Sequence, residues 1–365
     1  MAHADLPDAR RPDAGQLSGA SAELLELGDL DELTRHVNAL VADRAWEELV
    51  VLAARCRLAF ERGKQLWAVA AHIEYRLALE APGRWAASML ETGGGRFAFG
   101  PLPEVAASTH SWAELSPHLR ATPQAAMAAH ERVVRGDDLT GDLVAASLPE
   151  VLDLPLRLEP WEPHYSLAEY HPDKMAAPSP PLPALRSLGT GLPAGPATRT
   201  ASPPSRDAGP AASPGGGGEV PGALEDLVSA WTEESNGRAR AVGTTGDALD
   251  AIALLGGPAR ELVELGPATA LALMAWAAGS GGAHGRRRGA APGRFAAWWV
   301  LAAVGDLTPH WPLVPDQLGE VLSQVRCFVW ADDGPTTGWV LRLAMEAGSG
   351  PHRGQAWALA ATDNL

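Results

Sequence analysis

The stretch GWVLRLAMEA, Gly338 to Ala347, decides whether the chain is all-helical or mixed. Trp339, Leu341, Leu343 and Met345 alternate with Val340, Arg342, Ala344 and Glu346, the period of two expected of a half-buried strand. RCFVW before it and QAWALAATD after it are short, aromatic and bounded by ADDGPTTG and GSGPHRG, which are rich in turn residues. Together they predict a three-stranded antiparallel meander; a helix over Gly338 to Ala347 is the alternative.

Upstream of the meander the pattern is helical. PATALALMAWAAG and PGRFAAWWVLAAVG are apolar nearly all round, so both should be buried core helices. ALEDLVSAWTEE, GDALDAIALLG, PARELVEL and PDQLGEVLSQV also suggest helices. In the N-terminal half, DLDELTRHVNALVADR places Leu30, Leu33, Val37, Leu40 and Val41 on one face, with Asp29 and Glu32 in capping-box positions. Helices follow from Trp46 and from Gln65, the first ended by Gly63 and the second stopped by Pro82-Gly83. Arg84 to Glu91 continues the series; after a loop over Gly93 to Pro103, Ser111 and Glu114 form a capping box and Thr122-Pro123 opens a further helix. Short connections imply antiparallel neighbours.

The fold class expected is therefore mainly α: an N-terminal helical hairpin array of solenoid-like character, plus a C-terminal α+β domain with helices and a small antiparallel meander. The 365 residues exceed what one hydrophobic core usually holds. Residues 1–20 read as a disordered start, 21–175 as the helical hairpin domain and 222–365 as the α+β domain. Between the domains, 176–221 is a linker whose proline and glycine content cannot bury enough apolar surface to offset its ordering. Its PxxP from Pro178 to Pro181 is a weak signal in such a background. The aromatic strap LPLRLEPWEPHYSLAEYHPDKM, from Leu154, is expected to lie on the helical domain. Its Glu159, Glu162, His164, Glu169, His171 and Asp173 match no metal motif, and no metal or other cofactor is expected.

The formal net charge of -15 opposes binding to nucleic acid or to an anionic lipid surface. No apolar run reaches the roughly 20 residues that span a bilayer, no secretory signal is evident, and Cys56 and Cys327 stand in no metal or redox motif. A cytoplasmic location with two reduced thiols is the expectation. GxSxG, HExxH and EF-hand patterns are missing, so no catalytic residue is assigned; His72 and His130 read as packed or surface side chains.

One segment carries the ingredients of an anion site. GSGGAHGRRRGAAPGRF, Gly279 to Phe295, gathers His284, Arg286, Arg287, Arg288 and Arg294 just before a helix N-terminus, where exposed N–H groups favour an anion. Neither phosphate-loop pattern fits it. The competing expectation is a solvated turn, or arginines paired with acids elsewhere in the chain.

GGAHGRRRGAAPGRFAAWWVLAAV, GWVLRLAMEA and QAWALAATD together resemble an uncharacterised family of proteins from high-GC bacteria, over about Ala223 to Leu365. That resemblance implies a bacterial cytoplasmic origin and carries no activity. The function expected is that of a noncatalytic helical protein that binds another protein; the alternative is a binding protein or enzyme for a small phosphorylated or carboxylated ligand at residues 279–295.

Overall fold

The computed structural model describes residues 17–59, 65–92, 100–176, 198–199, 218–256, 261–331 and 339–363. The start up to residue 16, the glycine stop at 63, the PxxP segment, most of the predicted linker and the turn at 332–338 lie outside the described residues. The chain divides into two compact units, Met1–Arg120 and Ala121–Leu365.

The first unit is helical: α1 (Gly19–Leu27), α2 (Leu30–Ala42), α3 (Trp46–Ala59), α4 (Trp67–Glu80), α5 (Gly83–Thr92), α6 (Leu102–Thr109) and α7 (Trp112–Leu115). Two of the caps read from the sequence are in place in this unit. Asp29 accepts from the N–H groups of Asp31 and Glu32, and Ser111 and Glu114 close a reciprocal box at α7. The centre of this unit is α4, which packs against α2, α3, α5 and α6. Two helices lie where the sequence suggested none: α1 falls partly in the expected disordered start, and α6 begins at the end of the expected loop.

The second unit opens with α8 (Pro123–Val134), capped by Thr122, and continues through an extended stretch to the short hairpin β1 (Glu169–His171) and β2 (Lys174–Ala176). There follow β3 (Thr198–Arg199), α9 (Glu219–Asp226), α10 (Ser229–Glu233), β4 (Arg238–Thr245) and α11 (Ala248–Leu254). The chain ends with β5 (Glu261–Leu265), α12 (Pro267–Ser280), α13 (Ala290–Val304), α14 (Pro315–Gln324), β6 (Val325–Ala331), β7 (Trp339–Ala347) and β8 (Gln355–Asp363).

The expected meander is β6-β7-β8, and it is the middle of a larger sheet. Six antiparallel strands run in the order β3-β5-β6-β7-β8-β4. PARELVEL, read as a helix, supplies β5 instead. Leu262 and Leu265 have helical spacing, but in the strand Val263 and Leu265 join the core shared with α12 and α13, while Leu262 faces α11. Five residues beside a long neighbour gain more from sheet pairing than from one isolated turn of helix.

Helices cover both faces of the sheet. Leu341, Leu343 and Met345, one of the two alternating sets, pack with Leu271, Met274 and Leu301. Opposite them, Ala344, Ala356 and Ala358 form a shallow bed for Ala251 and Ile252 of α11, so β7 is buried on both faces rather than one. The two apolar helices, α12 and α13, form a closely packed hairpin. A Cβ on Gly293 would collide with the Ala275 carbonyl, so that position requires glycine.

The unit boundary differs from the predicted one at residue 175. Leu154 and Tyr165 of the strap, with Leu152 just before it, are buried with Trp231, Met274 and Trp298 in the core of the second unit. Helix α8 also packs on α13. The strap was expected on the N-terminal helices; its partners instead lie later in the chain, from Trp231 to Trp298.

Candidate functional site

Within the second unit, the five residues singled out around 279–295 do not converge. Arg294, on the first turns of α13, has no solvent exposure. Its Nε and Nη2 donate to the two oxygens of Glu162, each at 2.7 Å, and its remaining donors reach the carbonyls of Pro155 and Arg157 at 3.0 and 2.8 Å. Its guanidinium also lies 5.1 Å from the centre of the Trp298 ring. Tyr165 and Trp298 donate to the same carboxylate at 2.6 and 3.0 Å, and the Glu159 N–H donates to it at 2.9 Å, so Glu162 accepts five hydrogen bonds. Burial first, and then the Glu162 charge, hold the Tyr165 hydroxyl well above its ordinary pKa. The strap is thus fastened to α13 by a planar fork, the geometry guanidinium and carboxylate share.

His130 of α8 is buried beside this pair, and its Nδ1 has no hydrogen-bond partner. Burial, and secondarily the Arg294 charge, push its pKa from 6.5 to about 4. The next residue, Glu131, does what an external anion was expected to do. Its Oε1 accepts from the Ala291 N–H at 2.9 Å, at the N-terminus of α13, and its Oε2 accepts from Arg135 at 2.9 Å.

The N–H groups of the loop are engaged in the same way. Ala283 donates to Asp363 at 2.6 Å, Arg286 to Glu234 at 3.1 Å, and His284 to the Ser235 hydroxyl at 3.2 Å. Gly282 has φ 75°, and a Cβ there would strike Asp363, so the glycine lets the loop close over a fully buried carboxylate. The side chains diverge. Arg286 is 58% exposed and 3.6 Å from Glu234, Arg288 is exposed with Nη1 3.1 Å from the Ser229 hydroxyl, and His284 is exposed. Arg287 turns inward, lining with Tyr165, Ser166 and Trp276 a cavity of 10 Å³, room for about one water. Sequence reasoning found the arginines, and Glu162 only as one of the strap's acids, but paired none of them with Glu131, Glu162, Glu234 or Asp363, because each acid lies far from the loop in the chain.

The first unit holds a different feature, an open cleft of 530 Å³ where the α2–α3 turn faces the start of α5. Arg44, in the left-handed conformation at φ 56°, and Trp46 form one side; Arg84 and Trp85 form the other. Both indoles are half-buried and both guanidiniums exposed, with Arg84 4.9 Å from the centre of the Trp85 ring. Glu48, also in the cleft, accepts from the Ser18 N–H at 3.1 Å and the Ser21 hydroxyl at 2.6 Å. Burial would raise its pKa, but these hydrogen bonds and nearby His36 outweigh it and hold the carboxyl below its usual value.

Among the described residues, no group of three or more His, Cys, Asp or Glu side chains is placed to hold a metal ion, and no helix is long and apolar enough to cross a membrane. No curated protein and no solved structure matches the chain. A family of unknown function, DUF6183, matches residues 31–364. The match reaches across both units rather than the C-terminal half alone, and it says nothing of a high-GC source. The chain, matched over nearly its whole length, belongs to DUF6183, a family of unknown function.

Proposed function

We propose that this is a noncatalytic cytoplasmic protein whose N-terminal helices bind another protein, with the cleft between Trp46 and Trp85 as the contact. The cleft carries this reading: it is open, large enough for several side chains, and lined by tryptophan and arginine, the residue types that dominate binding energy at protein interfaces. In this reading the successive helices act as a repeat-like array that presents the cleft. Two buried, unpaired cysteines support the cytoplasmic part of the proposal.

The rival, a small anion at residues 279–295, has less support. The helix N-terminus and the loop N–H groups there already hold the protein's own carboxylates, and Arg294 is enclosed.

Selection of a displayed random peptide library on the full chain tests the proposal. Enriched peptides should bind the parent and lose binding to the Trp46→Ala/Trp85→Ala variant, with the melting temperature of that variant recorded as a control for folding. Failure to enrich any peptide, or equal binding by a folded variant, would overturn it.

A further inference from the structure

We propose, resting on the interaction reading above, that the cleft of the first unit selects an acidic peptide segment. A carboxylate of the partner would sit on Arg44 and Arg84, and a neighbouring apolar side chain would lie on Trp46 and Trp85.

The argument is one of charge. Arg44 and Arg84 both line the cleft, both are exposed, and neither forms an ion pair among the described residues. In a chain of formal net charge -15, two unpaired guanidiniums in one cleft are a local departure from the whole. The two carboxylates in the cleft do not cancel them. Glu47 and Glu48 occupy the first turn of α3, where the positive end of the helix holds them, and Glu48 is further tied to Ser18 and Ser21. The first turn of α5 carries no acidic residue of its own, and Arg84 lies in it.

The aromatic surface complements this. Trp46 and Trp85 are half-exposed, and the Arg84 guanidinium stacks on Trp85. Stacking fixes the orientation of the guanidinium and leaves its edge N–H groups to a carboxylate, which it can bind at two points. A partner carrying acid next to an apolar residue would therefore use both halves of the cleft. A basic segment would meet two like charges, and a purely apolar one would bury them without a counter-ion.

Peptide selection should be run in parallel on the full-length parent and on the Arg44→Glu/Arg84→Glu variant. Both substituted side chains are exposed, so the variant should fold, and its melting curve checks that. The parent is expected to enrich peptides with Asp or Glu beside an apolar residue, and the variant to enrich Lys or Arg at the same place. A synthetic copy of the acidic consensus should bind the variant about tenfold or more weakly, with parent binding weakened by added salt. A parent consensus without acids, or an affinity unmoved by charge reversal, would overturn the acidic assignment while leaving the interaction reading intact. No enrichment on either protein would overturn both.

Discussion

Glu162 and Arg294, 132 residues apart in the chain, meet as a two-point ion pair with neither side chain exposed to solvent. The pair joins the extended part of the strap, before its short hairpin, to the buried α12–α13 hairpin. Because guanidinium and carboxylate are both buried and hydrogen-bonded to each other at two points, breaking the pair from one side leaves a buried charge with nothing to replace its partner.

Glu162→Gln should therefore destabilise the second unit by about 3–5 kcal/mol, although it preserves shape and one acceptor oxygen. Replacing both members, Glu162→Leu with Arg294→Met, should recover much of that loss, since the desolvation cost disappears with the charges. Chemical denaturation of the single and double variants measures both effects; a double variant no more stable than Glu162→Gln would show that the pair's worth lies elsewhere.

His130 makes stability depend on pH in one direction. Its pKa is 6.5 in an unfolded chain and about 4 when folded, so between these values the unfolded state binds a proton that the folded state refuses. Its contribution is fully present above pH 6.5 and is lost as pH falls towards 4, a change of about 3 kcal/mol in all. A plot of unfolding free energy against pH should be flatter over this window in His130→Gln than in the parent.

Cys56 and Cys327 should be inert in the folded protein. Burial pushes both thiols up to about 12, so almost no thiolate exists at neutral pH. A thiol reagent at pH 8 should label neither until denaturant is added, after which two equivalents should react.

Gly293→Ala should cost about 1–3 kcal/mol, because the added methyl meets the Ala275 carbonyl and forces α12 and α13 apart. The neighbouring Ala296, half-buried on the same helix, offers a control: its conversion to Ser should stay within about 0.5 kcal/mol. Comparable losses at both sites would mean that the close approach of the helices is not what glycine serves.

Arg286→Gln with Arg288→Gln should leave the melting temperature nearly unchanged. The Glu234 contact of Arg286 is long and largely solvated, and such surface pairs contribute little. If inorganic phosphate raised the melting temperature of the parent but not of this variant, the anion reading of the loop would regain its standing.

What the sequence disclosed, it disclosed through local rules. Asp29, Ser111 and Thr122 cap their helices because capping is decided within four residues, and the alternation in β7 located its core face because side chains in a strand must alternate. The errors arose where local evidence was balanced and distant partners decided. ELVEL could have been either element until β6 lay beside it. The arginines of 286–294 look alike in sequence, yet Arg287 and Arg294 are buried while Arg286 and Arg288 are at the surface, and the carboxylate that encloses Arg294 lies far off along the chain. The cleft had no sequence signal beyond a tryptophan in the first turn of each of two helices, since a concavity is made by the packing of helices rather than by any one stretch.

The attachment of the strap and α8 to α13 changes the meaning of the proline-rich segment between Ala176 and Gly218. It reads as a tether between domains, yet chain on either side of it belongs to the same core. The segment links two parts of one unit, and its described residues Thr198 and Arg199 pair with β5. A protease that nicks it would yield two polypeptides that remain together under native conditions, through Glu162, Tyr165 and Leu154 on one and Arg294 and Trp298 on the other, and separate only in denaturant. A gene fragment beginning at residue 222 would instead express α13 without the carboxylates that neutralise Arg294 and close its first turn, and should yield insoluble protein. Supplied in trans, residues 121–176 should restore it to solution, as a complementing half rather than a neighbouring domain.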